Sequence, residues 1–161
     1  MDSFDAVYRR HYHELYRYVY RYLGRAECCE DVVQEAFMRL YRQREKSSLD
    51  NERAWLYRVA TNLSLSQVGR QKRWQGIAPK LGQTSESPMP PDEVLARNQR
   101  AETTRRALGK LGKRDRVLLM LYQEEMSYRE IAEVTGIHVN SVGKLLSRAM
   151  ARCARILENP I

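Results

Sequence analysis

Near its C-terminal end the chain carries polar and basic side chains that recur with the period of an α-helix. These residues are Asn140, Ser141, Lys144, Ser147, Arg148 and Arg152. Apolar residues occupy the opposite face of the same predicted helix, namely Val142, Leu145, Leu146 and Ala149. Base edges in the major groove of DNA require hydrogen-bonding side chains, and phosphates require cations. The outer face of this helix therefore predicts contact with duplex DNA.

A shorter helix is predicted directly before it. Ser127 and Glu130 have the spacing of a capping box, and Gly136 ends the helix. Its apolar stripe consists of Tyr128, Ile131, Ala132 and Val134. Two helices joined at a glycine favour a helix-turn-helix, which places its second helix in the major groove. From this segment alone, a surface hairpin whose charges face only water remains the alternative.

A second chemically distinct group lies in the first half of the chain and is acidic. The helix predicted from Glu27 to Arg42 has a buried face of Cys29, Val33, Ala36, Phe37 and Leu40. Its opposite stripe carries Glu27, Asp31 and Gln34, with Glu30 and Glu35 beside them. Taken alone, such a stripe is usually a solvated helix face. It is nonetheless an acidic face on a basic protein.

A third group follows on the next helix, which is predicted to begin at about Glu52. The expected buried face is Leu56, Val59, Ala60 and Leu63. Beyond Asn62 the character changes, and Arg70, Lys72 and Arg73 make a basic exit. Cations in such a cluster can bind the phosphates of a nucleic acid.

The elements that position these groups are all predicted to be helices. One more is indicated from Phe4 to Leu23, ending at Gly24, and the chain shows neither strand alternation nor an internal repeat. The long loop-like tract from Ile77 to Asp92 is rich in proline and small polar residues. The sequence thus predicts an all-α protein with two small helical domains, residues 1–76 and 93–161, joined by a flexible linker at 77–92.

Composition favours an anionic partner. The chain has 161 residues, a net charge of +8 and a pI near 9.6, so nucleic acid is the first expectation and an acidic membrane surface the second. There is no glycine loop for phosphates and no serine-histidine-aspartate set, and His11 and His13 point to different sides of a helix. We therefore expect no catalysis, no metal and no cofactor.

The cysteines Cys28, Cys29 and Cys153 have neither disulfide nor metal spacing. For the adjacent pair, packing in a helix turn is favoured over a redox role. The N-terminal segment has no apolar signal core, and no apolar run reaches membrane-spanning length. We expect a cytoplasmic protein without membrane insertion.

Three segments together carry a family resemblance: EDVVQEAFMRLYR (30–42), AWLYRVATNLSLSQVGRQKR (54–73) and YREIAEVTGIHVNSVGKLLSRA (128–149). In this order and spacing they resemble the extracytoplasmic-function (ECF) class of bacterial RNA polymerase sigma factors. These are small sigma-70 family members that keep two domains, sigma-2 and sigma-4. The resemblance covers about Phe4 to Leu157 apart from the linker.

The resemblance implies a promoter-recognition subunit of RNA polymerase. Its acidic helix would dock on the coiled coil of the β′ subunit through Asp31, Gln34 and Glu35, and the β flap is a further implied contact. The sigma-2 domain would recognise and melt the minus-ten element, which requires a pocket for unstacked bases beside cations for phosphates. The matching residues there are Arg58, Thr61, Asn62, Ser64, Arg70, Lys72 and Arg73.

The sigma-4 domain would recognise the minus-thirty-five element of promoter DNA. The implied base contacts are Asn140, Ser141, Lys144, Ser147 and Arg148, with Arg114 and Arg129 on phosphates. The common family run is T-V-K/R-S-R-L-x-R-A, but here Gly143 and Leu145 replace basic residues. An Asp and an Arg that are common near Ser66 and Gly69 are also missing. Base readout is therefore expected to differ from the common pattern.

The resemblance also implies control by an anti-sigma factor, which can hold the protein at the inner membrane until an extracytoplasmic or stress signal arrives. Two rival functions stay open. A stand-alone helix-turn-helix regulator would bind duplex operators as a dimer, but it leaves the acidic stripe and the basic exit unexplained. A basic helical adaptor without a nucleic-acid role would bind neither DNA nor polymerase.

Overall fold

The computed structural model describes residues 2–75 and 91–159, and of residues 70–75, 91–98 and 101 it describes the backbone only. The described residues form seven α-helices and no strand, which confirms the all-α prediction. The helices are α1 (Phe4–Leu23), α2 (Ala26–Lys46), α3 (Glu52–Gln75), α4 (Pro91–Lys110), α5 (Lys113–Gln123), α6 (Tyr128–Thr135) and α7 (Val139–Glu158).

The chain divides into two compact units, Met1–Ser85 and Glu86–Ile161. The division falls within the stretch 77–92 that the sequence assigns to a linker. Residues 76–90 lie outside the described residues, so the flexible linker stays a prediction. At its far end the assigned stretch overlaps α4, which begins at Pro91, because proline is well suited to the first position of a helix.

The first unit is a bundle of α1, α2 and α3 with an aromatic core. Tyr18, Tyr22, Phe37 and Tyr57 are all buried. The rings of Tyr18 and Tyr57 lie 4.9 Å apart, and the hydroxyls of Tyr18 and Thr61 share a buried hydrogen bond of 2.7 Å. Since a buried hydroxyl without a partner costs about 1–3 kcal/mol, this bond favours one orientation of α3 against α1.

The buried face of α3 is displaced by about one residue from the predicted face. Val59 and Leu63 are only half-buried, whereas Tyr57, Thr61 and Ser64 are buried. Apolar residues occur on most sides of α3, so their periodicity does not decide which side faces the bundle. The contacts with Tyr18 decide it instead.

A charged pair joins the end of α2 to the start of α3. α2 continues one turn beyond the predicted end at Arg42. Within that extra turn, Arg44 Nε and Nη2 donate to the two carboxylate oxygens of Glu52 at 2.6 and 2.7 Å. The hydrogen bond to Glu52 raises the pKa of Arg44. A two-point bond of this kind fixes direction as well as distance, so it orients the connection between the helices.

The second unit contains α4 to α7, and its described core is aliphatic, with buried residues such as Leu118, Leu121, Ile131 and Leu146. α6 is capped at both ends. Ser127 and Glu130 form the predicted capping box, and Gly136 follows the helix with a φ of 77°, a conformation that favours glycine. The backbone N–H of Asn140 donates to His138 Nδ1 at 3.2 Å, which caps α7.

A hydrogen-bonded ion pair ties α5 to α7. Arg152 Nη1 donates to Asp115 Oδ2 at 2.6 Å, and only 6% of Asp115 is exposed. The sequence placed Arg152 on the outer face of α7, yet its guanidinium is bound to this carboxylate. Because a buried carboxylate is costly without a partner, the pair holds the two helices together.

The three cysteines form no disulfide. Burial raises the pKa of the Cys29 thiol to about 12, which keeps it in the unreactive thiol form. Within residues 2–75 and 91–159, no group of histidine, cysteine and acidic side chains is arranged to hold a metal ion. None of the helices described above is long and apolar enough to cross a membrane.

Candidate nucleic-acid and protein interfaces

α7 presents a continuous polar face to solvent. The five residues predicted to contact bases are all exposed on it: Asn140, Ser141, Lys144, Ser147 and Arg148. Val142, Leu146 and Ala149 are buried on the opposite side. Amide, hydroxyl and cationic groups are thus brought together on one helix, where they can bond to base edges and phosphates.

The two predicted phosphate contacts lie on the neighbouring helices of the same unit. Arg114 is exposed near the start of α5, and Arg129 is exposed in the first turn of α6. α5, α6 and α7 pack against one another, so these cations belong to one rigid group of helices with the polar face of α7. The arrangement is that of a helix-turn-helix with basic residues on each of its packed helices.

The predicted apolar stripe of α6 is only partly buried. Ile131 and Val134 are buried, Ala132 is half-buried and Tyr128 is 48% exposed. Tyr128 is the first residue of α6 and therefore lies at the edge of the packed region. Its ring lies against α7 at Gly143, where an added Cβ would be 3.3 Å from Tyr128 Cε2.

On α2, Asp31 and Gln34 are exposed on the predicted acidic stripe. Glu35 lies beside that stripe and is less exposed, and its Oε1 accepts a hydrogen bond from Arg39 Nε at 3.0 Å. An exposed ion pair of this type adds little to stability. Arg39 therefore partly neutralises the flank of the stripe, while Asp31 carries its negative charge at the centre.

Sequence reasoning missed that the acidic stripe continues into an apolar patch. Met38 and Tyr41 are about half-exposed, and together with Phe4, Tyr8 and Phe37 they line a groove of about 410 Å³. Contiguous exposed apolar residues of this kind mark interaction surfaces. The signal was present in the sequence. Residues 27, 31, 34, 38 and 41 are spaced by four and three, as in the seam between two packed helices.

α3 exposes Arg58 and Asn62 but buries two other residues that were predicted to contact DNA. Thr61 is 5% exposed and bonded to Tyr18, and Ser64 is 1% exposed and donates to the carbonyl of Ala60 at 2.7 Å. Both hydroxyls are used inside the bundle. Neither hydroxyl is exposed for base contact in this structure, which differs from the expectation for Thr61 and Ser64, and both bonds lie within the helix bundle that carries Asn62.

The remaining residues of this group, Arg70, Lys72 and Arg73, lie on the last turns of α3, where the side chains are outside the described part of the structure. Before them on α3, a Cβ added at Gly69 would meet no described atom within 4 Å.

The second unit contains a helix-turn-helix and the first unit bears an exposed acidic and apolar stripe, so the chain is a protein of the helix-turn-helix class. Family models make the assignment narrower. The model described as sigma-70 region 2 matches residues 7–74, and that described as sigma-70 region 4 matches residues 101–153. The chain belongs to the ECF RNA polymerase sigma factors of the sigma-70 family.

Curated relatives agree with that assignment. The chain is 32% identical over 155 residues to RNA polymerase sigma factor YlaC of Bacillus subtilis. The aligned region covers 92% of this chain and 88% of YlaC. It is 27% identical over 159 residues to ECF RNA polymerase sigma factor SigW of the same organism, with 91% and 84% coverage.

Two solved structures are similar to the fold. CnrH, solved in complex with the cytosolic domain of CnrY, gives a TM-score of 0.69 at 26% identity, covering 96% of this chain and 87% of CnrH. The sigma factor RpoE from Bartonella quintana, solved in complex with the anti-sigma factor NepR, gives a TM-score of 0.72 at 18% identity, covering 97% of each chain.

Proposed function

We propose that this sigma factor binds core RNA polymerase, recognises the minus-thirty-five and minus-ten promoter elements and opens the promoter for transcription. The observation that carries the proposal is that three different helices each bear an exposed surface of distinct chemistry. α2 bears an acidic and apolar stripe, α3 bears Arg58 and Asn62, and α7 bears a polar and basic face. The protein itself is a specificity subunit, and catalysis belongs to the polymerase.

The stripe on α2 is the proposed contact with the coiled coil of the β′ subunit. Asp31, Gln34 and Glu35 supply negative charge and hydrogen bonds, and exposed Met38 and Tyr41 supply apolar area. Charges across an interface mainly steer association and set register, whereas buried apolar and aromatic side chains supply much of the affinity. The four-and-three spacing of the stripe fits a helical partner. The β flap is proposed as a further contact.

The exposed side of α3 is the proposed surface for the minus-ten element. Asn62 can bond to an unstacked base, and Arg58, Arg70, Lys72 and Arg73 can bind phosphates of the opened strand. Thr61 and Ser64 support this surface from inside the bundle. Without an external energy source, opening depends on holding the separated bases after they leave the duplex, which is what an amide beside cations can do.

The polar face of α7 is the proposed reader of the minus-thirty-five element, with Arg114 and Arg129 on the phosphates. A correct base contact contributes about 1–3 kcal/mol of discrimination, so two or three such contacts give a clear preference. Phosphate contacts add affinity that weakens as salt rises and carries no sequence preference.

An anti-sigma factor is the proposed regulator. The structures similar to this fold include a sigma factor bound to an anti-sigma factor and CnrH bound to the cytosolic domain of CnrY. We propose that such a partner holds this sigma factor inactive in the cytoplasm, at the inner membrane, until an extracytoplasmic or stress signal releases it.

The test is run-off transcription with purified core polymerase on a pool of genomic DNA, followed by mapping of the start sites. We expect starts that share two upstream elements and that depend on the sigma factor. Initiation from no template would contradict the proposal. The stand-alone regulator would instead bind duplex DNA tightly without polymerase, and the adaptor would bind neither, so gel-shift assays with and without core enzyme separate the three functions.

A further inference from the structure

The second turn of α7 contains a glycine that the backbone does not require. The described glycines with positive φ are Gly24 and Gly136, whereas Gly143 lies within the helix without that conformation. A glycine in such a position destabilises a helix by about 1 kcal/mol relative to alanine. The presence of glycine at position 143 therefore requires a steric explanation.

The space above Gly143 is filled by the ring of Tyr128. A Cβ added at Gly143 would be 3.3 Å from Cε2 of that ring and 3.8 Å from both Cζ and the hydroxyl oxygen. The first of these distances is tighter than ordinary van der Waals contact, so even a methyl group at this position would require the tyrosine ring to shift by a few tenths of an ångström. The first helix of the helix-turn-helix thus places an aromatic ring directly on the second.

The position of this ring matters because of its neighbours along α7. Gly143 follows Asn140 by three residues and precedes Ser147 by four, so the three positions share one strip of the helix surface. Asn140 and Ser147 are exposed on the polar face, and Tyr128 remains 48% exposed after packing on the strip. An uncharged aromatic surface therefore adjoins the side chains that read bases.

We infer that Tyr128 contacts promoter DNA through the C5-methyl group of a thymine in the upstream element, and that Gly143 makes this contact possible by leaving room for the ring. The inference rests on the proposed function of the α7 face and deepens it. Apolar side chains read thymine through that methyl group in the major groove. A contact made by the tyrosine ring depends on the base, whereas a hydrogen bond from its hydroxyl to a phosphate would not.

The test uses holoenzyme and a duplex promoter that the parent protein selects from a pool randomised in the upstream region. Each thymine of the selected element is replaced in turn by deoxyuridine, which removes only the methyl group. We expect one replacement to weaken binding of the parent by about fourfold, the value for one buried methyl group. For each of the variants Tyr128→Ala and Gly143→Arg, the duplex with thymine at that position and the duplex with uracil there should bind with equal affinity.

Two further variants make the readout specific. Tyr128→Phe keeps the ring and should keep the response to the methyl group. Tyr122→Ala is the matched control, because Tyr122 is also 48% exposed in the same unit but lies on α5, and it should behave like the parent. Circular dichroism of each variant checks that the unit remains folded.

The outcomes separate the inference from the function on which it rests. A parent protein that selects no upstream element would contradict the proposed function, and the inference with it. Selection of an element whose methyl groups all prove dispensable would overturn only the inference. The inference is also overturned if Tyr128→Ala and Gly143→Arg respond to the uracil replacement as the parent does. It is likewise overturned if Tyr128→Phe weakens binding to all duplexes equally, because that result would indicate a phosphate contact.

Discussion

The first unit packs α1, α2 and α3 around Tyr18, Tyr22, Phe37 and Tyr57, whereas the buried residues described in the second unit include no aromatic side chain. The units also use their polar residues differently. In the first, Thr61 and Ser64 are buried and bonded within the bundle, while in the second every predicted DNA contact is exposed. Residue type therefore predicts exposure more reliably in the second unit.

The difference has a physical cause. Aromatic rings with hydroxyl groups need polar partners when they are buried, so a tyrosine-rich core draws in neighbouring hydroxyls such as that of Thr61. The aliphatic core of the second unit has no such hydroxyls to satisfy; its buried polar residue, Asp115, is bonded to Arg152, and the residues predicted to contact DNA all face solvent. The predictions below test whether polar residues act inside the first unit and at the surface of the second.

The largest expected effect comes from reversing the charge on the α2 stripe. Asp31→Lys with Glu35→Lys should abolish association with core polymerase, because the stripe would then repel a basic partner. The measurement is co-purification with core enzyme. Glu102→Lys with Glu133→Lys makes the same change in net charge on the other unit and should leave association intact. Equal binding of core polymerase by both double variants would show that α2 is not part of the interface.

A smaller effect is expected from the polar face of α7. Arg148→Ala should weaken binding to the upstream element by about tenfold, the value for one good base or phosphate contact. Footprinting of holoenzyme at several salt concentrations measures it, and the salt slope tells a phosphate contact from a base contact. Arg106→Ala removes an exposed arginine from α4 and is the control. Identical footprints for Arg148→Ala and the parent would show that the assigned face is wrong.

Neighbouring residues of α3 should separate stability from promoter opening. Thr61→Val removes the hydrogen bond between Thr61 and the Tyr18 hydroxyl and should lower the free energy of unfolding by about 1–2 kcal/mol. Asn62→Ala changes an exposed residue and should alter stability by less than about 0.5 kcal/mol while impairing opening. Thermal unfolding and permanganate reactivity of the minus-ten bases measure the two properties. If Thr61→Val instead impaired promoter opening without lowering stability, Thr61 would be a DNA contact.

The smallest expected effects concern three helical glycines. A Cβ added at Gly69 or at Gly109 would meet no described atom within 4 Å, so alanine there should stabilise the protein by up to about 1 kcal/mol. Gly143→Ala should give no such gain, because the ring of Tyr128 must move. Chemical denaturation of the three variants makes the comparison. An equal gain at Gly143 would mean that the tyrosine adapts without cost.

Much of the fold follows from the sequence because most helices separate apolar from polar residues. Val142, Leu146 and Ala149 are buried and Asn140, Lys144 and Arg148 are exposed, as the helical period of α7 predicts. The caps at Ser127 and Gly136 were also predicted, since their chemistry is local. Where both signals are strong, a single sequence determines the element and its orientation.

The same reasoning was less successful for α3 and for the edge of α6. Apolar residues occur on most sides of α3, so periodicity does not identify its buried face. The hydrogen bond between Tyr18 and Thr61 does, but it joins residues that are far apart in the sequence. Periodicity included Tyr128 in the apolar stripe of α6, but its ring packs on α7 at Gly143, where there is no side chain. Such contacts between helices are not encoded in the period of either one.

The bond between Arg152 and the nearly buried Asp115 bears on how mutational surveys of this protein should be interpreted. Replacing Arg152 would strand a carboxylate in the interior and loosen the anchor of α7, and promoter occupancy would then fall although no DNA contact had been lost. A survey of cationic residues that scores occupancy alone would rank Arg152 with Lys144 and Arg148. Measuring the melting temperature beside occupancy would reassign it to the scaffold.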